Sequence, residues 1–271
     1  MLTTARRTIV IKYGGAAQTD PALTECVADE IVRLRARGHR PVVVHGGGAA
    51  VSTQAARLGV ATRFVDGLRV TDPETMRIAQ GVQVGWISRD IAAAIARRGG
   101  RAIGLSGQDG GGWLRARPRD AARLGRVGDV VDVDAGWLRA LMAGGLIPVI
   151  APVAVDPWLA PLNVNADSVA SAVAAALGAD ALLFLSDVDG VRGPDGAAAR
   201  SIGPDALDAW IRAGVVRAGM IPKARACLAA LDAGVGAVSI ADGRQPGCVA
   251  AALEGAAGTT VRPAALAAAA K

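Results

Sequence analysis

The chain has 271 residues, with 30 Lys or Arg against 24 Asp or Glu, and a formal net charge of +6. This length allows one large domain or two closely joined lobes with a full core. No apolar run reaches the roughly 18 residues of a membrane span, and no signal-peptide cleavage site follows the basic start, so we expect a soluble cytoplasmic protein. The arginines are dispersed and aromatic residues make up only 3%, which disfavours nucleic-acid binding and leaves anionic substrates such as nucleotides as the better explanation of the charge.

Short β-branched runs alternate with longer amphipathic segments along the chain. The predicted strands span 8–12, 41–45, 102–105, 147–151, 181–185 and 238–241. The predicted helices span 21–37, 49–58, 87–98, 137–142, 168–177 and 204–213, and two more begin near Pro73 and Lys223. A hairpin is expected over 111–134 and a frayed tail over 264–271. This alternation predicts a mainly parallel sheet with helices on both faces.

Gly-rich turns follow three predicted strands, at 14–15, 46–48 and 107–110. Ligands of parallel sheets bind beyond the carboxyl ends of the strands, where backbone amides can hold phosphate. The chain has no G-x-x-x-x-G-K-[ST] sequence, and no G-x-G-x-x-G follows the first strand, so neither a P-loop nor a typical dinucleotide site is expected. Each turn alone is also compatible with a simple tight connection.

Lysine is rare in this chain. Only three of the 30 basic residues are lysine, and these are Lys12, Lys223 and Lys271. GC-rich codon usage explains the arginines, and a lysine that persists is a candidate for a site that needs a compact ammonium group. Lys12 ends a buried strand, where it could instead extend to solvent. Lys223 begins a helix, where the helix dipole disfavours a cation unless an anion is bound nearby.

Asn163, Asn165 and Asp167 form a polar patch just before a predicted helix. The spacing is compatible with a simple N-cap, with Asp167 as the capping residue. It is equally compatible with two substrate-binding carboxamides and a carboxylate that orients lysines. Arg69 also precedes a helix, and its guanidinium could either bind a carboxylate through two hydrogen bonds or remain solvated.

No general base and no metal site are evident. His39 and His45 form no recognisable triad, and the three cysteines lack metal-type spacing, which fits a reducing compartment. A carboxylate nucleophile is already ionised near neutral pH and needs no base. Positioning and charge neutralisation would then suffice for phosphoryl transfer to a carboxylate.

Nine colinear blocks between residues 8 and 260 resemble acetylglutamate kinases of the amino acid kinase family. The blocks are KYGG (12–15), HGGG (45–48), GLRVTD (67–72), GLSGQDG (104–110), IPVIAP (147–152), NVNAD (163–167), SDVDG (186–190), GMIPK (219–223) and DGR (242–244). The resemblance implies a three-layer αβα sandwich. It also implies an N-terminal lobe (1–171) for the amino-acid substrate and dimerisation, and a C-terminal lobe (172–271) for ATP.

The implied activity is ATP-dependent phosphorylation of the side-chain carboxylate of N-acetyl-L-glutamate, a step of arginine biosynthesis. By matching position, Lys12 and Lys223 contact the transferred phosphoryl group and Asp167 holds both lysines. The implied substrate-binding residues are Gly46, Gly47, Arg69, Asn163 and Asn165. The implied ATP-binding residues are Gly14, Gly15, Ser186, Asp187, Asp189, Gly190, Gly219 and Met220. The implied cofactor is ATP with Mg2+, and the metal is carried mainly by the nucleotide.

Several positions depart from the family pattern. Ala49-Ala50-Val51-Ser52 stands where the family has Pro-Glu-Ile-Asn, Ser88-Arg89 replaces Asn-Lys, Gln108 replaces a lysine, and a family histidine is replaced around Gly247-Cys248. Close relatives phosphorylate 2-aminoadipate, sometimes on an acidic carrier protein that would suit a basic chain. The complete block at 67–72 favours N-acetylglutamate. A catalytically weak paralogue that only binds ligands is a third possibility.

The resemblance also implies a homodimer that arginine does not inhibit. Arginine-inhibited members of the family carry an extra N-terminal helix that drives hexamer formation. Only seven residues precede the first predicted strand here, too few for such a helix.

Overall fold

An eight-stranded, mainly parallel sheet runs through the computed structural model, which describes residues 6–15 and 20–263. The strands are β1 (Thr8–Tyr13), β2 (Arg40–His45), β3 (Phe64–Val65), β4 (Leu68–Arg69), β5 (Ala102–Leu105), β6 (Leu114–Pro118), β7 (Val127–Val133), β8 (Ile147–Ile150), β9 (Val153–Val155), β10 (Pro161–Val164), β11 (Ala181–Ser186), β12 (Ser201–Ile202), β13 (Val238–Asp242) and β14 (Thr259–Val261). The large sheet has the order β12-β14-β13-β11-β1-β2-β8-β5, and only the β13–β14 pair is antiparallel.

Helices cover both faces of this sheet. They are α1 (Pro21–Ala36), α2 (Gly48–Arg57), α3 (Pro73–Gln80), α4 (Ser88–Arg97), α5 (Ala121–Leu124), α6 (Ala135–Ala143), α7 (Ala166–Leu177), α8 (Pro204–Arg212), α9 (Ile221–Asp232) and α10 (Cys248–Leu253). One apolar core lies between the sheet and α6, α7, α8 and α9, and a second lies between the opposite face and α1, α4 and α10. The sheet and its two helical layers confirm the predicted three-layer αβα class.

The two halves of the sheet follow the chain order. Strands β1, β2, β8 and β5 precede residue 171 and lie together, and β11, β13, β14 and β12 follow it and form the other half. The halves meet where β1 pairs with β11, with Lys12 opposite Phe184. Because the strands at this junction are parallel, the turns after β1, β2 and β11 emerge at the same edge of the sheet.

Several elements differ from the sequence predictions. The hairpin expected over 111–134 is confirmed as β6 and β7, which join β9 and β10 in a small closed barrel. The helix expected to begin at 87 is instead the end of a continuous helical run, because a π-helical segment, Gly81–Ile87, links α3 to α4. The strand predicted at 238–241 was the last one expected, but a further strand, β14, follows it in the chain and pairs with it antiparallel.

Six short strands were not predicted at all, because runs of two to four residues show too little periodicity; they are β3, β4, β9, β10, β12 and β14. The expected tail, 264–271, lies outside the described residues, as do residues 1–5 of the N-terminal segment. Within the described part of the chain, no helix has the length and apolar character that crossing a membrane requires.

Candidate active site

Lys12, Asp167 and Lys223 meet above the middle of the sheet. Lys12 Nζ lies 3.0 Å from Asp167 Oδ1, and Lys223 Nζ lies 3.0 Å from Asp167 Oδ2. The lysine side chains are each 12% exposed and the aspartate side chain is 19% exposed. The structure therefore brings together the three residues that the resemblance assigned to phosphoryl transfer, with one ammonium on each carboxylate oxygen.

Local structure explains why this carboxylate is available to the lysines. Asn165, not Asp167, is the N-cap of α7: its Oδ1 accepts hydrogen bonds from the backbone N–H groups of Asp167, at 2.9 Å, and Ser168, at 3.1 Å. The alternative in which Asp167 caps the helix is therefore wrong. Asp167 lies in the first turn, where the helix dipole favours a negative charge and the side chain remains free to bind cations.

Electrostatics keep Asp167 ionised. Burial alone would raise the pKa of this carboxyl, but attraction to Lys12 and Lys223 and their hydrogen bonds outweighs burial, and the net pKa is lowered. Lys223 lies in the first turn of α9, at the positive end of the helix dipole, so the carboxylate also offsets an unfavourable position. Two positive charges compensated by one negative charge leave a net attraction for a further anion.

The glycines after β1 and β2 leave room for the side chains that approach them closely. A Cβ added at Gly14 would lie 2.8 Å from Lys12 Nζ and 3.8 Å from Gly46 N, so any side chain there would displace the ammonium group. Gly47 has a φ of 141° and would place a Cβ 2.6 Å from Ile87 Cδ1. Glycine is required at Gly47 both by its backbone conformation and by its close packing.

Arg69 is almost fully buried and points under the first turn of α2. Its Nη2 donates to Gly48 O at 2.7 Å and to Ser52 Oγ at 2.8 Å, and its guanidinium lies 4.8 Å from the centroid of the Phe64 ring. Burial lowers its pKa. None of the ion pairs that the structure describes involves Arg69, and a buried guanidinium whose partners are neutral favours binding of an external carboxylate.

Asn163 is linked to Arg69 through Thr71. Asn163 Nδ2 donates to Thr71 Oγ1 at 3.0 Å, and Thr71 Oγ1 donates to Arg69 O at 2.7 Å. Thr71 is fully buried. Thr71 was not among the predicted site residues, although its place inside the block at 67–72 is a signal that could have identified it. Its hydroxyl ties β10 to the segment that carries Arg69.

A cavity of about 940 Å3 opens beside the second half of the sheet. Four predicted ATP-binding residues line it: Asp187, Asp189, Gly190 and Met220. Ser186 lies next to it and donates to Asp187 Oδ1 at 3.1 Å, and Gly219 precedes Met220 in a short 3-10 turn. Gly14 and Gly15 do not line this cavity; they lie at the end of β1 beside Lys12.

Three arginines of this cavity were not among the predicted site residues. Arg244 Nη2 donates to Asp187 O at 3.0 Å, and its Nε lies 2.8 Å from Asp242 Oδ1, which fixes the guanidinium at the cavity wall. Arg192 and Arg217 also line the cavity. In a chain with so many arginines, sequence position alone does not distinguish these three, although Arg244 belongs to the DGR block at 242–244.

Three of the departures from the family pattern, Ser52, Ser88 and Gln108, have defined contacts or exposure. Ser52 accepts the hydrogen bond from Arg69, and Ser88 is buried and donates to Val149 O at 3.3 Å. Gln108 is exposed and accepts a hydrogen bond from Gln80 Nε2. Ser52 thus forms a hydrogen bond with a predicted substrate-binding residue, which makes it the departure most directly connected to the substrate side of the site.

The paired lysines, the glycine turns and the three-layer fold are the features expected of a kinase with an αβα sandwich, and comparison with known proteins gives the same class. A profile of the amino acid kinase family matches residues 7–242, and the chain belongs to this family. The predicted membership is confirmed, as is the prediction of a kinase.

Curated relatives over most of the chain are acetylglutamate kinases. That of Symbiobacterium thermophilum is 46% identical over 251 residues, covering 89% of this chain and 85% of the relative. Those of Rhizorhabdus wittichii and Geobacter sulfurreducens are 44% and 43% identical, over 89% and 88% of this chain and 84% and 85% of their own lengths.

Solved structures share the fold. N-acetylglutamate synthase from Neisseria gonorrhoeae, complexed with coenzyme A and N-acetyl-glutamate, matches with a TM-score of 0.83 and 25% identity, over 94% of this chain and 59% of that chain. Carbamate kinase from Giardia lamblia bound to AMP-PNP matches with a TM-score of 0.75 and 18% identity, over 96% and 99%.

Proposed function

We propose that this protein phosphorylates the side-chain carboxylate of N-acetyl-L-glutamate with ATP and releases the acyl phosphate and ADP. The observation that carries the proposal is the pair of largely enclosed ammonium groups on Asp167, with one at 3.0 Å from each carboxylate oxygen. Acetylglutamate kinases at 41–46% identity support the choice of substrate and a place in arginine biosynthesis. As a biosynthetic enzyme that uses ATP, it would act in the cytoplasm.

The chemistry requires only charge and position from this chain. A carboxylate oxygen of the substrate forms the new bond to the γ-phosphorus, and the bond from that phosphorus to the oxygen bridging the β- and γ-phosphates breaks. The electron pair leaves on ADP, and no proton has to be moved. Lys12 and Lys223 would neutralise the negative charge on the transferred group, and Asp167 would keep both ammonium groups at fixed positions.

Mg2+ would enter with the nucleotide. Among the described residues, no group of three or more His, Cys, Asp or Glu side chains could hold a metal ion. Asp167 is occupied by two lysines, and Asp189 lies 3.0 Å from Arg192 Nη2. Phosphate oxygens would therefore supply most of the ligands, and the metal would neutralise charge on the β- and γ-phosphates.

The acceptor would bind on the side of the first half of the sheet and ATP on the other. Arg69 and Asn163 would hold carboxylate and amide groups of the substrate, with Asn165 nearby, and the amides of Gly46 and Gly47 would face it. The cavity of about 940 Å3 would hold the nucleotide. Residues 1–171 would thus form the substrate lobe and 172–271 the ATP lobe, and the phosphoryl group would cross the β1–β11 junction.

The test is acyl phosphate formation trapped with hydroxylamine, with equal concentrations of N-acetyl-L-glutamate, N-acetyl-2-aminoadipate and free glutamate. We expect the highest kcat/KM for N-acetyl-L-glutamate. A preference for the aminoadipate compound would contradict the proposed acceptor and favour the longer substrate. Ligand-dependent thermal shifts without turnover of any acceptor would contradict catalysis and favour a regulatory ligand-binding protein.

We also propose that the chain forms a homodimer through an apolar patch on α2, α3 and the π-helical segment. Leu58 is 59% exposed and Trp86 52% exposed, and both border a hollow of about 670 Å3 with Ile78 and Val82. In a two-fold symmetric contact the same patch meets itself. A patch that has both a projecting indole and an adjacent hollow suits such a contact. A second copy of this chain is therefore the partner we infer.

A further inference from the structure

Phe184 lies directly against the catalytic cluster. Lys223 Nζ is 5.4 Å from the centroid of the Phe184 ring. Phe184 is one of only two phenylalanines in the chain, and it is fully buried in β11. A cation within about 6 Å of an aromatic centroid is attracted by the electrons of the ring face, and the attraction is stronger when both groups are removed from water.

The register of the sheet places this ring beside both lysines. Phe184 is opposite Lys12 across the parallel β1–β11 pair, so the two side chains project from the same face, about 4.8 Å apart at the backbone. That face packs against α7 and α9, which carry Asp167 and Lys223. The ring thus lies beneath the Lys223 ammonium, and Lys12 projects from the same face of the sheet on the other side of the Asp167 carboxylate.

Lys223 needs a second contact because Asp167 is shared. Each carboxylate oxygen has one ammonium group at 3.0 Å, so Lys223 receives only half of the available negative charge. It also lies at the unfavourable end of the α9 dipole. A ring face offers partial negative charge without accepting a proton or competing with an anion, whereas a second carboxylate would repel phosphate.

We propose that Phe184 is a positioning residue, which holds the Lys223 ammonium over its ring so that this charge faces the transferred phosphoryl group. The inference rests on the proposed kinase function. A leucine or isoleucine would fill the same core position, as in the neighbouring strands, but would provide no attraction for the cation. The alternative role is core packing alone.

Site-specific fluorination separates the two roles, because each added fluorine weakens the negative face of the ring while changing its shape little. Phe184 would be replaced by 4-fluoro-, 3,5-difluoro- and 3,4,5-trifluorophenylalanine in the full chain. We expect kcat to fall stepwise, about fivefold to tenfold over the series, with the KM of the acceptor unchanged. Fluorotryptophan at Trp113, a buried ring that stacks on Trp137 with centroids 5.4 Å apart, is the control and should leave kcat unaltered.

A second readout does not depend on activity. The same series would be made in a Lys223→Met background, and Tm measured for every variant. Fluorination should lower Tm stepwise when Lys223 is present and have no stepwise effect in its absence. A constant kcat across the series, or equal Tm changes in both backgrounds, would overturn the positioning role. If the unmodified protein phosphorylates no acceptor, the proposed function fails and the Tm comparison alone decides the role of Phe184.

Discussion

Asp167 binds one lysine through each oxygen, and this geometry depends on compact cations. An ammonium group donates along three directions from a single charged nitrogen, whereas a guanidinium is planar and would span both carboxylate oxygens. Arginine at either position would therefore tend to displace the other cation. The charge would remain, but it would no longer face the phosphoryl group from two sides.

The first prediction concerns these two lysines. Lys12→Arg and Lys223→Arg should each lower kcat by about tenfold or more, which corresponds to about 1.4 kcal/mol or more in the activation free energy. The measurement is hydroxylamine-trapped turnover at saturating ATP, with Tm confirming that each variant folds. Arg212→Lys, in an exposed ion pair with Asp208 on α8, is the matched control and should keep normal turnover. Full activity of both lysine variants would contradict the argument.

The pairing of these lysines was partly predictable. Their rarity among 30 basic residues identified Lys12 and Lys223 as candidates, but codon bias alone explains rarity and says nothing about distance. Their convergence on Asp167 depends on α7 and α9 lying side by side over β1 and β11, a long-range arrangement that local patterns do not encode. Phe184 was missed for the same reason, since its ring is significant only beneath a lysine 39 positions away.

The second prediction concerns His45, which ends β2 and is fully buried. Burial lowers its pKa from 6.5 to about 4, although the hydrogen bond between Nδ1 and Gly46 O acts in the opposite direction. The folded protein keeps this imidazole neutral while the unfolded chain binds a proton below pH 6.5. The free energy of unfolding should therefore decrease as the pH falls from 6.5 towards 4, by about 2 kcal/mol between pH 7 and pH 5.

His45→Asn tests this pH dependence, because the asparagine amide can still donate to Gly46 O but cannot titrate in this range. Urea unfolding at pH 7 and pH 5 would be compared for the two proteins. The variant should lose about 2 kcal/mol less than the wild type over that interval. An equal loss in both proteins would assign the acid sensitivity to other groups.

At the scale of elements, the start of α7 determines where Asp167 points. Asn165→Ala removes the N-cap and should cost about 1 kcal/mol, lowering Tm by roughly 2 to 4 °C. It should also reduce kcat, because the first turn that carries Asp167 is no longer fixed. Asn165→Ser retains a capping oxygen and should restore both Tm and kcat.

The serine variant also tests the proposed role of Asn165 in substrate binding. A serine hydroxyl can cap the helix but cannot replace the second, amide half of the side chain. If Asn165 contacts the substrate, Asn165→Ser should raise the KM of N-acetyl-L-glutamate at normal Tm. An unchanged KM would restrict Asn165 to helix capping.

Element boundaries were predictable where a local signal marks them. Asp20 and Asp72 cap α1 and α3, and in both helices a proline in the first turn follows the aspartate, which is a local signal for a helix start. The start of α7 was misjudged because Asn165 and Asp167 are both good capping residues two positions apart, and only the backbone decides between them. The π-helical segment has no such sequence signal, so the continuity from α3 to α4 was missed.

For the whole molecule, the alternation of strands and helices was enough to predict a parallel sheet with covered faces. The small barrel of β6, β7, β9 and β10 was only half predicted, because its closure joins strands far apart in sequence, with Arg115 of β6 opposite Val155 of β9. The local hairpin pattern identified two strands of the barrel, β6 and β7. The polar block at 163–167 marked the end of a third strand, β10, which carries Asn163 and so connects the barrel to the site.

The last prediction concerns the homodimer, which we assign to the patch around Trp86. Trp86→Glu should place a charge in the middle of the two-fold contact, where it would meet its own copy in an apolar environment. Light scattering should then give the 27.2 kDa mass of one chain, against about twice that mass for the wild type. Trp158→Glu is the matched control, because this indole is 84% exposed on the turn between β9 and β10 and does not border the hollow.

Turnover of the same variant would separate assembly from catalysis. Lys12, Asp167 and Lys223 all belong to one chain, so a monomeric Trp86→Glu protein should still form acyl phosphate. A variant that stays dimeric would place the interface elsewhere, and dissociation by Trp158→Glu would move it to the barrel. A monomer without turnover would mean that the partner chain supports the site. The structural connection would be the π-helical segment, which contains Trp86 of the patch and ends at Ile87, whose side chain packs against Gly47 on the substrate side.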